Sequence, residues 1–211
     1  MKRLKLAYSQ SGGRNHKGRI TSYHRGGGNF RKYRLVDWNH MLKNRYAFVL
    51  KKEYDPFRKA PVVLIYYDNG FFSYQIGIHG LEEGMSVLGG RFVPLWLGNS
   101  LPLGRMPIGS IISNVESRYG RSAGARCQII KHVGRYTVVK LPSGEKKSIH
   151  SKKWGTYGRI GRVSVRFEKE QKAGKNRHRG IRPVVRGVAM NPIDHPHGGG
   201  EGKTSGEIGR A

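Results

Sequence analysis

The segment 62–78 restricts the fold most, because it contains two strand-like runs joined by a turn signal. Residues 62–67 form a continuous run of β-branched, aliphatic and aromatic side chains, typical of a strand that is buried on both faces. Asp68-Asn69-Gly70 follows, and Asn-Gly tolerates the positive φ that tight hairpin turns need. Residues 71–78 supply the returning strand. The segment therefore predicts an antiparallel hairpin.

The rest of the chain predicts more short strands and no long helix, since no segment shows an extended apolar period of 3.6 residues. A first set of five strands is predicted at 31–38, 45–54, 62–67, 71–78 and 85–88. A Pro/Gly-rich connector at 98–109 separates it from a second set at 110–116, 126–133, 135–141, 146–150 and 159–167. A short helical turn is predicted near 99–105 or 152–157. The fold class is all-β, with two small β-barrels, of which the first has the strand pattern of an oligonucleotide-binding (OB) fold.

Charge indicates the class of partner. The 211 residues include 40 Lys and Arg against 13 Asp and Glu, a formal net charge of +27. Such a charge repels itself in the folded state, so we expect a polyanion to bind it. Nucleic acid is the first candidate; a membrane is disfavoured because the sequence lacks a long apolar run and a basic amphipathic helix. The only cysteine, Cys127, excludes a disulfide within the chain and is expected to be a buried thiol in a reducing compartment.

Both ends of the chain are predicted to be basic arms without a core of their own. Residues 1–34 contain ten Lys and Arg and no acid, and glycines interrupt them. The run 182–202 is rich in Pro and Gly, which cannot continue a helix. Such an arm is either flexible or is ordered by a partner. Because Asp194, His195 and His197 are interleaved with two prolines that limit how the chain can bend, we favour ordering by a partner.

Several motifs, taken in order, resemble one family over nearly the whole chain. They are GRITSYHRGGG at 18–28, EYDP at 53–56, GNSLPLGRMPIGS at 98–110, RSAGA at 121–125, LPSGE at 141–145 and GVAMNPIDHPHGGGEG at 187–202. This set resembles ribosomal protein two of the large subunit, of the bacterial and organellar type. The resemblance implies an OB-fold followed by an SH3-like barrel. It also implies a structural role that supports subunit association and the architecture around the peptidyl-transferase centre. The implied partners are large-subunit rRNA, neighbouring ribosomal proteins and, through an intersubunit bridge, the small subunit.

The expected organisation is a basic N-terminal arm at 1–30, an OB-fold at 31–99, an SH3-like barrel at 100–170 and an extended tail at 171–211. Arginine donates paired hydrogen bonds to phosphate, and glycine lets backbone N–H groups approach it. A solvated charged surface is the alternative for any single patch. The predicted RNA-binding residues combine the basic patches with positions in the family-like motifs: Arg14, Lys17, Arg19, His24, Arg25, Arg31, Arg121, Lys175, Arg177, Arg179, Arg182, Arg186, Asn191, His195, His197 and Lys203.

Four aromatic residues stand beside basic residues rather than in apolar runs, and they are candidates for stacking on bases. Core packing is the alternative for each of them. The four residues are Tyr23, Phe30, Trp154 and Tyr157.

The Asp194, His195 and His197 cluster permits three interpretations. A metal site would need a fourth ligand, and the spacing of a zinc finger is absent. A general base would need an oriented nucleophile and an oxyanion donor. In the third interpretation the prolines fix bends and the imidazoles hydrogen-bond or stack on nucleotides. We favour the third, and so predict no enzyme activity, no catalytic residue, no metal site and no cofactor other than Mg²⁺ shared with rRNA.

Two rival functions stay open from the sequence. One is a free-standing nucleic-acid-binding regulator built from the same two barrels, and the other is a metal-dependent enzyme that acts on RNA. No membrane association and no homo-oligomer are expected.

The basic N-terminus lacks the apolar region of a secretory signal. Termini shorter than those of bacterial members, without a clear presequence, predict a ribosomal protein made inside an organelle. The mitochondrion is the first choice, with a plastid or the bacterial cytoplasm as alternatives.

Overall fold

The structure is a computed structural model that describes residues 4–200 and 202. The chain divides into two compact units. The first combines the residues up to Tyr8 with Arg31–Glu168, and the second combines Ser9–Phe30 with the chain from Lys169 onward. Within the described residues, no helix is both long and apolar enough to cross a membrane.

Strands are the main regular secondary structure of the described residues, which confirms the all-β prediction. The strands are β1 (Lys5–Ala7), β2 (Lys32–Arg34), β3 (Tyr46–Tyr54), β4 (Pro61–Tyr67), β5 (Phe72–Ile76), β6 (Ser86–Leu88), β7 (Ser100–Pro102), β8 (Ile111–Ser113), β9 (Cys127–Val133), β10 (Tyr136–Lys140), β11 (Lys146–His150) and β12 (Trp154–Tyr157). The described helices are short: α1 (Ala173–His178) and 3₁₀ turns at Leu103–Arg105, Val163–Arg166 and Gly187–Ala189.

The first barrel of the first unit is an antiparallel sheet in the order β5-β4-β3-β6. Gly70 has φ 86°, and its N–H donates to Tyr67 O at 3.0 Å, so the predicted Asn-Gly hairpin is confirmed. A register shift between Val49 and Lys51 bends β3, as a closing barrel requires. A parallel bridge from Val36 to Tyr74 joins the chain after β2 to β5. Inward-facing aliphatic side chains fill the interior, among them Val49, Val63, Ile65, Ile76 and Val87.

The second barrel is a six-stranded antiparallel sheet in the order β11-β10-β9-β8-β12-β7. Its core contains Leu103, Ile112, Ile129 and Val139, all buried. Cys127 packs in the same cluster, and burial raises the pKa of its thiol to about 11. The thiol is therefore protonated near neutral pH, and Cys127 acts as a small buried apolar residue, as the sequence predicts.

A buried polar network joins the two barrels inside the first unit. The His40 ring lies 2.7 Å from Ser100 Oγ on β7 and 3.2 Å from Thr156 Oγ1 on β12. Gln75 Nε2 on β5 donates to His40 Nδ1 at 2.9 Å. Burial lowers the pKa of His40 to about 4, so the ring is neutral at physiological pH. Through His40, Ser100 at the start of the Pro/Gly connector is tied to β5 of the first sheet as well as to β12 of the second.

Three segments differ from the predicted secondary structure. Residues 159–167 provide only a bridge from Ile160 to Ile78, because Arg162 adopts a left-handed φ of 59° and a 3₁₀ turn follows. The segment 154–157 is strand β12 rather than a helical turn. Residues 5–7 form β1, which pairs with β2, although the sequence places them in the basic arm.

Candidate nucleic-acid interface

The second unit is held together by pairing between the two basic arms. Gly26 N donates to Gly180 O at 2.9 Å, and Asn29 N donates to His178 O at 2.8 Å. Arg182 N donates to the carbonyl oxygen of His24 at 3.0 Å. The structure thus brings together two basic patches that are about 150 residues apart in the sequence.

Gly28 makes this close approach possible. A Cβ at Gly28 would lie 2.6 Å from His178 O and 2.7 Å from Gly180 N, which are backbone atoms that cannot move aside alone. A Cβ at Gly27 would meet nothing within 4 Å. Gly28 is therefore required by the close approach of the two arms, whereas Gly27 faces open space.

The segment 13–22 forms a small folded loop. Gly13, with φ 81°, accepts hydrogen bonds from Thr21 N and Ser22 N at 2.9 and 3.2 Å. The Asn15 side chain accepts from the N–H groups of Lys17 and Arg19 at 3.0 and 3.1 Å. These bonds fix the backbone that carries the exposed cations of the N-terminal arm.

Most predicted cations of this unit point to solvent. Residues 9–30 and 169–200 contain eleven Lys and Arg against two carboxylates, those of Glu170 and Asp194. Glu170 pairs with Lys175 at 3.5 Å and with Arg179, so these two cations are partly compensated. Ion pairs near the surface contribute little to stability. The exposed predicted residues are Arg14, Lys17, Arg19, His24, Arg25, Arg177, Arg182 and Arg186.

Two arginines flank the glycine backbone at 26–28. A Cβ at Gly26 would lie 3.0 Å from Arg182 Cγ and 3.2 Å from Arg177 Nη1. Guanidinium groups and nearby backbone N–H groups are the donors that bind phosphate oxygens. We regard the surface formed by residues 24–29 and 177–182, named here the paired-arm surface, as the main candidate interface.

The motif at 186–199 closes into a compact loop. Gly199 N donates to Met190 O at 3.1 Å, and His195 packs directly on Gly187, where a Cβ would lie 2.3 Å from His195 Nδ1. His197 N donates to His195 Nδ1 at 3.0 Å, and the two rings are 5.0 Å apart. A neutral His195 ring therefore carries its proton on Nε2, where it can donate to a ligand.

The structure shows fewer contacts for the other predicted RNA-binding residues of the tail. Asn191 is exposed, and its carbonyl oxygen accepts from Asp194 N at 3.0 Å inside this loop. Lys203 lies outside the described residues. In the chain from 4 to 200, no group of three His, Cys, Asp or Glu side chains is arranged to hold a metal ion. The Asp194, His195 and His197 motif therefore does not form such a group.

Arg31 and Arg121 belong to the first unit, and both are half-buried. Arg121 Nε donates to Asn114 Oδ1 at 2.9 Å, and its guanidinium lies 4.4 Å from the centre of the Trp38 ring. Burial, followed by the nearby charge of Arg118, lowers the pKa of Arg121. These interactions give Arg121 a structural role that the sequence does not predict.

The two carboxylates of the EYDP motif, Glu53 and Asp55, make contacts within the first unit. Glu53 accepts hydrogen bonds from Lys5 Nζ, Arg34 Nε and the Tyr74 hydroxyl at 3.0, 2.9 and 3.0 Å. It thereby ties β1 and β2 to β5. Asp55 is fully buried, accepts from Phe57 N at 2.8 Å and pairs with Arg58.

The four stacking candidates have different surroundings. Tyr23 and Phe30 are 73% and 75% exposed, so their rings are available to a ligand. Tyr157 is half-buried in β12. Trp154 is also half-buried, and Lys43 Nζ lies 4.4 Å from its ring centre.

A second basic feature, missed in the sequence, lies on the second barrel. A cavity of about 280 Å³ is lined by the side chains of Arg126, Lys140, Arg159 and Arg166, and its described lining contains no carboxylate. Arg159 is positioned by a hydrogen bond from Nε to Gly124 O at 2.9 Å. These residues come from four separate segments, so no local pattern could predict the cluster.

Comparison with known proteins identifies two matching family models. Residues 1–89 match Ribosomal Proteins L2, RNA binding N-terminal domain, and residues 96–210 match Ribosomal Proteins L2, C-terminal domain. The large ribosomal subunit protein uL2 of Wigglesworthia glossinidia brevipalpis is 45% identical over 211 residues, which cover 97% of this chain and 77% of the relative. The uL2 of Buchnera aphidicola subsp. Cinara cedri is 44% identical over 204 residues, covering 94% and 75%. The uL2 of Bartonella henselae is 44% identical over 212 residues, covering 98% and 76%.

Proposed function

The chain belongs to the ribosomal protein L2 family, and we propose that it is a structural constituent of the large ribosomal subunit that binds the rRNA of that subunit. The resemblance read from the sequence motifs is confirmed. The observation that carries the proposal is the pairing of the two arms, which collects exposed arginines around an accessible glycine backbone. This arrangement suits a phosphate backbone better than it suits a small ligand.

The binding mechanism is electrostatic and positional. Each Lys or Arg that neutralises a phosphate releases counterions, so affinity should fall steeply with salt. Arg25, Arg177 and Arg182 of the paired-arm surface supply phosphate contacts, while His195 and Asn191 offer hydrogen bonds at the tail loop. The residues predicted as RNA-binding thus remain our proposed contacts, with Arg121 acting mainly through its packing on Trp38.

The proposed role is architectural and involves no catalysis. His195 Nδ1 already accepts the His197 N–H, which supports a structural use of this ring. Any Mg²⁺ would be shared with rRNA rather than held by this chain. We further propose contacts with neighbouring ribosomal proteins, with the small subunit through a bridge and with the peptidyl-transferase region, and no homo-oligomer. The proposed location is the ribosome. The three relatives named above are bacterial, and mitochondrial synthesis stays a prediction.

The test measures binding of the full chain to large-subunit rRNA and to small-subunit rRNA as a function of salt. We expect preference for large-subunit rRNA. The triple variant Arg25→Ala, Arg177→Ala, Arg182→Ala should reduce the slope of log K against log salt by about 2 to 3, since each phosphate that is no longer neutralised lowers it by about 0.9. A matched triple variant, Lys32→Ala, Lys51→Ala and Lys52→Ala, removes the same charge from exposed strand positions and should reduce the slope less. Equal affinity for both rRNAs would contradict the proposal.

A free-standing nucleic-acid-binding regulator is the rival function. Both proteins would bind RNA, but only a ribosomal protein sediments with large subunits through a high-salt wash in a fixed ratio. Recovery of the chain in ribosome-free fractions, with none in the subunits, would favour the regulator.

A further inference from the structure

A cavity of about 420 Å³ lies in the first unit beside Trp154, and its lining combines one aromatic wall with an excess of positive charge. Lys43, Lys152 and Lys153 line it, together with His150, Asn39 and a single carboxylate, Glu116. The volume falls within the range of small-ligand sites. The mixture of an indole and several ammonium groups is the chemistry that recognises a nucleotide, whose base is flat and whose phosphate is anionic.

The backbone of Trp154 is fixed before any ligand arrives. Trp154 N donates to Glu116 Oε2 at 3.1 Å, and Glu116 N donates to Trp154 O at 2.9 Å. Trp154 also pairs with Pro102 between β12 and β7. A fixed backbone reduces the entropy that is lost when a base stacks on the ring.

The carboxylate does not cancel the positive charge of the cavity. Burial alone would raise the pKa of Glu116, but hydrogen bonds from Lys153 Nζ at 3.0 Å and from Trp154 N outweigh it, so the pKa lies below its usual value. Glu116 thus neutralises Lys153. Within the described residues neither Lys43 nor Lys152 forms an ion pair. His150 Nδ1 accepts from Lys152 N at 3.1 Å, which orients the turn that carries Lys152.

Lys43 currently covers the indole, and its interaction with the ring is weaker than the stacking that would replace it. An exposed cation–π interaction is worth a factor of about 2 to 5 in an equilibrium constant. Stacking of one base on an aromatic side chain is worth a factor of about 5 to 150. An incoming base should therefore displace the Lys43 ammonium from the ring, and the released ammonium can then pair with the phosphate of that nucleotide.

We propose that this cavity binds one unpaired nucleotide of RNA, with its base stacked on Trp154 and its phosphate held by Lys43 and Lys152. The proposal rests on the proposed RNA-binding function and adds a site for a single base to it. The site needs residues of both barrels, because Asn39 and Lys43 precede β3 whereas Glu116 and Trp154 belong to the second barrel.

The first experiment compares rRNA affinity and its salt dependence for the full chain and its variants. Trp154→Leu keeps an apolar side chain but removes the π-face, so we expect affinity to fall by about 5- to 150-fold with an unchanged salt slope. Trp154→Phe should retain most of the affinity. Lys43→Met should lower the slope by about 0.7, the value for one phosphate of a single strand. Trp96→Leu alters an exposed tryptophan outside the cavity lining and should have little effect.

Two outcomes would overturn the site while leaving the proposed function intact: wild-type affinity in Trp154→Leu, or a loss that comes with a reduced salt slope. Failure of the unaltered chain to bind rRNA would instead refute the proposed function.

An NMR titration tests the site without RNA and without depending on the folding of Trp154→Leu. Adenosine and AMP should each shift the indole N–H signal that is missing in Trp154→Phe. Lys43→Met should weaken AMP binding but not adenosine binding, and no shift with either probe would also overturn the site.

Discussion

The substitution Gly28→Ala tests whether close packing or flexibility explains the glycines of the N-terminal arm. The added methyl group would lie 2.6 Å from His178 O and 2.7 Å from Gly180 N. Real Cβ atoms do not approach backbone atoms so closely, so the segment at 24–29 must separate from the segment at 178–182. Gly27→Ala is the matched control, because its methyl group meets nothing within 4 Å.

Three hydrogen bonds set the size of the effect. They join Gly26 to Gly180, Asn29 to His178 and Arg182 to His24. Each contributes about 0.5 to 1.5 kcal/mol net, so losing all three costs about 1.5 to 4.5 kcal/mol. At about 1.4 kcal/mol for each factor of ten, exchange of these amide hydrogens should speed up about ten- to thousandfold.

The assay is amide hydrogen exchange of the full chain, followed at Gly26, Asn29 and Arg182. We expect fast exchange in Gly28→Ala and wild-type exchange in Gly27→Ala, with the β-barrels unchanged in both. Affinity for rRNA should fall in Gly28→Ala alone, because re-forming the paired-arm surface then costs free energy on binding. Equal exchange rates in the two variants would refute the reasoning.

Three further predictions concern buried or crowded groups. Burial lowers the pKa of His40 from 6.5 in the unfolded chain to about 4 in the fold. Between these two pH values only the unfolded state takes up the proton, so the free energy of unfolding should fall by about 3 kcal/mol as pH drops from about 6.5 to about 4. Urea unfolding across this pH range should show that the free energy of unfolding falls less with pH in His40→Gln than in the wild type. Burial alone would raise the pKa of Glu53, but its hydrogen bonds outweigh burial and hold the pKa below the unfolded value of 4.5. The ionised Glu53 therefore stabilises the fold above pH 4.5, and this contribution disappears as pH falls through the folded pKa. The Tm difference between wild type and Glu53→Gln should accordingly vanish in acid. Gly187→Ala should displace the His195 ring, and His195→Ala in that background should recover the lost stability, as a thermal double-mutant cycle would show.

The features that the sequence predicts correctly are encoded locally. The hairpin at 62–78 needs only a β-branched run and an Asn-Gly turn, and both lie within a few residues of one another. The burial of Cys127 likewise follows from its apolar neighbours. The strand predicted at 159–167 differs because Arg162 adopts a left-handed conformation that is rare for arginine and has no local signal.

The candidate interface can be predicted from the sequence only in part, because some of its features depend on contacts between distant segments. Individual cations can be found from the sequence, but pairing of 24–29 with 178–182 depends on hydrogen bonds between distant segments. The nucleotide cavity combines residues from Asn39 to Trp154, so the sequence identifies only its tryptophan as a stacking candidate. The structural role of Arg121 depends on Trp38, about eighty residues earlier.

The contrast between the two units explains how folding and RNA binding should be coupled. Every fully buried apolar side chain of the described residues lies between Ala47 and Ile160, so the second unit contributes none. Backbone hydrogen bonds hold that unit, while eleven Lys and Arg face only two carboxylates and repel one another. A polyanion that binds the paired-arm surface removes this repulsion and therefore stabilises the unit by mass action, whereas the barrels gain little. Bound rRNA should consequently slow hydrogen exchange at Gly26 and Arg182 far more than at Val63 or Ile129, and this difference would mark the arms as the part of the chain whose order depends on the ribosome.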